Sequence, residues 1–134
     1  MKSAKELFDL TGKVAIVTGG RGLYGASISA GLAEMGATVI IASRNREKCE
    51  ELAAELRMKG LKADSGALDL SDDASIEALV DEVLKKYGKI DILVNNAGIT
   101  KDDLLMKMKV EIQIMLMFPF FLMILLIIMK LVMV

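Results

Sequence analysis

The 134-residue chain contains no histidine, which excludes histidine-based catalytic triads and histidine metal sites within it. A single cysteine, Cys49, rules out an internal disulfide and suits a reducing compartment. Neither charge dominates: 17 basic residues face 18 acidic ones, so no basic face for nucleic acid is expected and no strongly charged partner is implied. The opening segment, MKSAKELFDL, is polar and charged, and no signal peptide is expected there. Aromatic residues make up only 4% of a chain that is 54% hydrophobic, and the apolar excess is concentrated after residue 110.

What is present is organised around Val14 to Gly25, VAIVTGGRGLYG. Val14 to Val17 reads as a buried strand. Glycines 19, 20, 22 and 25 follow, and Ala26 to Met35 reads as a helix carrying Ile28, Leu32 and Met35, with small residues between them that let it lie close on a sheet. Strand, glycine turn and helix together make a phosphate site. Glycines allow close backbone approach, and the first helical amides have no partners inside the helix. A plain tight turn is the alternative reading of the same residues.

Ahead of this stretch, residues 1–12 form a surface lead-in whose Leu7, Phe8 and Leu10 are available to dock on the body. Beyond it, Gly36 ends the helix and Thr38 to Ala42 is a second apolar strand. Asn45 caps a helix to about Lys59, with Cys49, Leu52, Ala53 and Leu56 along one stripe. Lys62 to Leu70 is a weaker strand. Ser71 is expected to cap the next helix, which buries Ile76, Leu79, Val80, Val83, Leu84 and Tyr87 and ends at Gly88. Ile90 to Val94 is the fourth strand, followed by Asn95-Asn96-Ala97-Gly98. Alternating strands and helices predict an α/β fold, the N-terminal half of a Rossmann-like doubly wound parallel sheet of order 3-2-1-4. Its ligand crevice is expected between the first and fourth strands, bordered by the glycine loop and NNAG.

TGGRGLYG, ALDLSDD and LVNNAG, each after a strand and in this order, resemble the short-chain dehydrogenase/reductase family over residues 7–109. LVNNAGITKDDLLMKM is similar to 3-oxoacyl-acyl-carrier-protein reductases, and FDLTGKVAIVTGG to gluconate 5-dehydrogenases. The resemblance implies hydride transfer between a nicotinamide dinucleotide and a small carbonyl or alcohol substrate. It implies that the backbone around Gly19, Arg21, Gly22, Leu23, Tyr24 and Gly25 touches pyrophosphate and ribose. Asp69 would meet the adenine amino group with Leu70 beside it, and Asn95, Ala97 and Gly98 would pass under the nicotinamide side. Asp69 also reads as a plain capping acid near Ser71, and Asn95-Asn96 as a simple turn. The usual TGxxxGxG pattern wants glycine where Leu23 stands. The chain has TGxxGxxG instead, as in the family's extended subclass, and the backbone path is less determined.

At the end of the second strand Ser43-Arg44-Asn45 carries no acid for a ribose 2′-hydroxyl. Arg44 could pair with a 2′-phosphate, which favours NADP over NAD, or it could be a solvated surface charge. The family's chemistry needs serine, a Y-x-x-x-K pair and an asparagine beyond the fourth strand. The only tyrosines are Tyr24 and Tyr87, and Ile28 and Asp91 stand four residues after them, so no catalytic residue is assigned and no activity is expected of this chain. Cytoplasmic location is expected, and homo-oligomer formation stays open.

Two domains are expected: residues 1–109, a partial dinucleotide-binding domain, and an apolar tail, residues 110–134. Ile112 to Met129 is 18 residues long with only Gln113 strongly polar. One reading is a membrane anchor with Lys101, Lys107 and Lys109 on the cytoplasmic side. A second is a helix packed on the half-sheet and kinked at Pro119. A third, favoured, is a truncation or frameshift product: Phe, Leu, Ile, Met and Val codons share a middle U, and from Ile112 to Val134 only Gln113, Pro119 and Lys130 depart from that set.

Overall fold

The computed structural model describes residues 3–98. The chain divides at Ala97 into Met1–Ala97 and Gly98–Val134, and the fold described here belongs to the first unit. The apolar tail, with its anchor, packed-helix and frameshift readings, lies outside the described residues. In chain order the elements are α1 (Ala4–Leu7), β1 (Val14–Thr18), α2 (Leu23–Glu34), β2 (Thr38–Ser43), α3 (Arg46–Met58), β3 (Ala63–Ala67), α4 (Asp73–Tyr87) and β4 (Ile92–Asn95). The four strands form one parallel sheet in the order β3-β2-β1-β4, as the alternation of strands and helices predicts.

The central strands are apolar because both of their faces are covered. All five residues of β1 are buried, as are Val39 to Ala42 of β2. Alternate residues point to opposite faces. Ala15, Val17, Val39, Ile41 and Ala63 join Ala33 of α2 and Cys49, Ala53 and Leu56 of α3 in one core. On the other face Leu79, Val80 and Val83 of α4 are buried, and a Cβ on Gly66 would come within 2.4 Å of the Leu79 side chain. Gly66 therefore lets α4 lie close against β3.

Several local expectations are corrected. The helix after the glycine loop begins at Leu23, three residues earlier than its apolar spacing indicates. Its contact face is Gly25, Ser29 and Ala33; Ile28 and Leu32 are half-buried beside it, and Met35 is exposed. Small residues win the inner face because the helix crosses the β1 turn at backbone distance. Helix α4 is capped by Asp72, whose carboxylate accepts from the Ala74 amide at 3.0 Å, and not by Ser71. Ser71 donates its amide and hydroxyl to Asp69 instead. Strand β3 ends at Ala67, because the Asp69 amide turns away to the Ser75 hydroxyl at 2.9 Å. Strand β4 starts at Ile92, after Asp91 has exchanged bonds with Val14. In the lead-in only Leu10 docks, its amide donating to the Met35 carbonyl; Leu7 and Phe8 stay exposed. The Asn45 cap holds, accepting from the Lys48 amide at 3.0 Å.

Candidate functional site: the crevice at the strand C-termini

The chain leaves β1 through Gly19, whose φ of +61° is left-handed, a conformation glycine adopts without strain. The Gly19 amide donates to the Ala42 carbonyl at 2.8 Å and the Gly22 amide returns to the Gly19 carbonyl at 2.9 Å. The turn is thus pinned to β2 on one side and closed on itself. Gly25 is required by proximity: a Cβ there would stand 2.2 Å from the Gly19 carbonyl oxygen and 2.7 Å from Asn96 Nδ2. Ser29 ties the next turn of α2 down, donating its hydroxyl to the Gly20 carbonyl at 3.3 Å.

Thr18 joins the glycine loop to the segment after β4. It is buried, and its hydroxyl donates to the Val94 carbonyl at 3.2 Å while accepting from the amides of Asn96 and Ala97, each at 3.1 Å. Asn96 Nδ2 donates to the Gly19 carbonyl at 3.1 Å. The two segments that border the crevice therefore form one hydrogen-bonded unit. Neither Thr18 nor Asn96 was singled out as a site residue from the sequence. A threonine closing a buried strand just before glycine was the available signal.

Helix α2 opens toward this crevice. Its N-cap is Gly22, which brings no side-chain cap, so the first-turn amides are left for solvent or a ligand. Leu23 and Tyr24 occupy that first turn with their side chains strongly exposed, and Tyr24 belongs to the helix, not to the loop. An uncapped helix start preceded by a glycine turn can hold an anion. Among the described residues, Asn95 Oδ1 is a buried acceptor without a hydrogen-bond partner. It has the capacity to take one from a ligand.

Charged groups lie to the other side, at the ends of β2 and β3. Arg44 is exposed just past β2, and Ser43 beside it contacts the buried Cys49 sulfur at 3.0 Å. The Asp69 carboxyl is held below the usual carboxylate range by the Ser71 hydroxyl and amide, with help from the Arg44 charge. Arg21, at the tip of the glycine loop, reaches Glu51 of α3 at 3.8 Å. The expected site residues Gly19, Arg21, Gly22, Leu23, Tyr24, Gly25, Ser43, Arg44, Asp69, Leu70, Asn95 and Ala97 all fall at this one end of the sheet. Gly98 is exposed and follows them in the chain.

Residues 13–132 match the short-chain dehydrogenase sequence profile. The chain belongs to the short-chain dehydrogenase family. The match runs past residue 109, where the quoted motifs stop. The chain is 41% identical over 99 residues to the 3-oxoacyl-acyl-carrier-protein reductase of Thermotoga maritima, covering 74% of this chain and 40% of that one. It is 44% identical over 100 residues to its counterpart from Chlamydia muridarum, with the same coverage. A gluconate 5-dehydrogenase from Burkholderia cenocepacia, solved with NADP and tartrate, superposes with a TM-score of 0.76 at 38% identity, over 86% of this chain and 45% of that one. A metagenomic short-chain oxidoreductase solved with NADP gives 0.68 at 38% identity, over 77% and 47%. The chain thus spans less than half the length of these short-chain dehydrogenases.

Proposed function

We propose that residues 1–109 form a partial dinucleotide-binding domain that holds NADP(H) in the crevice between β1 and β4. The observation that carries this reading is the uncapped start of α2 behind a glycine turn locked to the Asn96 segment, with Arg44 at the end of the neighbouring strand. The amides of Leu23, Tyr24 and Gly25 would receive the pyrophosphate. Arg44 would pair with the ribose 2′-phosphate, where an acid would be repelled. Asp69 is ionised and can accept from an adenine amino group, while Leu70 lines the same side. Asn95, Ala97 and Gly98 would pass under the nicotinamide half. Two of the structurally similar enzymes were solved with NADP, which supports the same choice. NAD remains the weaker ligand in this reading.

The bound dinucleotide would supply or accept hydride, and the family reaction is oxidoreduction of a small carbonyl or alcohol. Carbonyl reduction also needs a proton donor at the developing alkoxide. Tyr87 is turned to Asp64, donating its hydroxyl at 2.9 Å, near the opposite end of the sheet. Tyr24 stands at the start of α2 with Ile28 four residues on. Residues 1–134 by themselves therefore bind the dinucleotide without turnover, and the tail from residue 110 contributes no catalytic group. The test is a fluorescence titration with NADPH and NADH, together with NADPH oxidation against ketones and 3-oxoacyl thioesters. Arg44→Ala should weaken NADPH by about ten- to a hundredfold and NADH little, since a charge-assisted pair contributes roughly 1.5–3 kcal/mol. Equal weakening of both dinucleotides would remove the 2′-phosphate role. Turnover that survives Tyr24→Phe and Tyr87→Phe would show that proton delivery lies elsewhere.

A further inference from the structure

The Arg21 guanidinium extends from the glycine loop to the Glu51 carboxylate on the second turn of α3, the helix that follows β2, 3.8 Å away. Both side chains are open to water, 46% and 67% exposed. Such a pair is loose and easily exchanged. A phosphate dianion at the end of β2 would be a stronger partner for Arg21 than a single solvated carboxylate, because it offers more charge and more acceptor oxygens.

We infer that Glu51 is a specificity-determining residue: it occupies Arg21 in the free protein and competes with a ligand phosphate for it. The inference rests on the crevice being a nucleotide site. Two consequences follow from the geometry. Removing the Glu51 charge should favour ligands that carry a phosphate on the adenosine ribose. The gain should pass through Arg21 rather than through bare repulsion.

The experiment titrates the full chain with adenosine 2′,5′-bisphosphate and with adenosine 5′-monophosphate, at low salt. Glu51→Gln should tighten the bisphosphate about two- to fivefold, the span covered by exposed ion pairs, and leave the monophosphate nearly unchanged. In an Arg21→Ala background the same substitution should change nothing. Half a molar salt should erase the gain. Unchanged or weaker bisphosphate binding in Glu51→Gln would overturn the inference while leaving the nucleotide site standing. So would an equal gain for both ligands, or one that persists without Arg21. Failure of wild type and variant alike to bind either ligand would overturn the nucleotide reading itself, and this inference with it. Glu51 is well exposed on α3, so the substitution leaves the core untouched, and a matched thermal melt verifies that.

Discussion

Near the N-terminal ends of the strands, contacts between elements run through carboxylates. Asp64, in β3, accepts from Lys86 at 2.5 Å, from Tyr87 at 2.9 Å and from the Ser65 amide at 2.9 Å. Asp91, just before β4, accepts from the Val14 amide at 2.8 Å and lies beside Lys13 and Lys89. At the C-terminal ends the contacts are made by Thr18, Asn96 and glycine backbone, and Arg44 lies exposed at the rim. The difference separates two tasks. Paired charges at one end use up their hydrogen-bonding capacity in holding the sheet together. Neutral groups packed at backbone distance at the other end leave the first amides of α2 and the Arg44 guanidinium for a ligand, while Arg21 is only loosely held by Glu51.

The largest effect is expected from filling the backbone contact at the C-terminal end. Gly25→Ala would place a Cβ 2.2 Å from the Gly19 carbonyl and 2.7 Å from Asn96 Nδ2. The loop or the helix must shift, and overpacking of this kind costs about 1–3 kcal/mol. Urea denaturation should report that loss, and NADPH titration should report loss of binding. Intact NADPH affinity would break the comparison, because close packing would then be unnecessary for the ligand end.

Next comes Asp64→Asn, which should lower stability by about 1 kcal/mol through weakened, partly exposed hydrogen bonds and leave nucleotide affinity unchanged. Burial opposes the charged form of Asp64, but bonds from Lys86, the Ser65 amide and Tyr87 outweigh it and hold the carboxyl below its ordinary value. The Val14 amide does the same for Asp91, against slight burial and with help from Lys89. A carboxyl with a lower value in the folded state stabilises fully above its unfolded value and loses that contribution as pH falls through the folded one. Stability should therefore begin to fall as pH drops into the ordinary carboxylate range and go on falling below it, and Asp64→Asn should flatten that slope. An unchanged acid limb in melts across that range would show that the clamp contributes nothing.

A smaller effect is expected from Asn45→Ala. The Asn45 side chain caps α3 through the Lys48 amide at 3.0 Å, and losing a cap costs about 1 kcal/mol. Because Asn45 follows Arg44 directly, fraying there should also loosen the 2′-phosphate side, by less than Arg44→Ala does. NADPH affinity as low as in Arg44→Ala would mean that Arg44 acts only through the geometry of the cap.

The element order, strand direction and glycine stops were legible in the residues because each has a local cause. Continuous apolar runs mark strands covered on both faces, and Gly36, Gly60 and Gly88 take positive φ where helices end. The three motifs sit after β1, β3 and β4, and the sheet order follows from right-handed crossovers. What local pattern missed depends on partners far along the chain. The inner face of α2 is Gly25, Ser29 and Ala33 because of the Gly19 carbonyl and Asn96 it crosses, and apolar spacing carries no trace of that approach. Thr18 acts as a hub only through residues 76 to 79 positions later. Residue types and their spacing thus determined which elements form and at which end of the sheet the phosphate-binding chemistry gathers. Tertiary structure alone decided which side chains lock that end and which are left free, because hydrogen bonds and close contacts between distant segments are set by packing, not by neighbours in sequence.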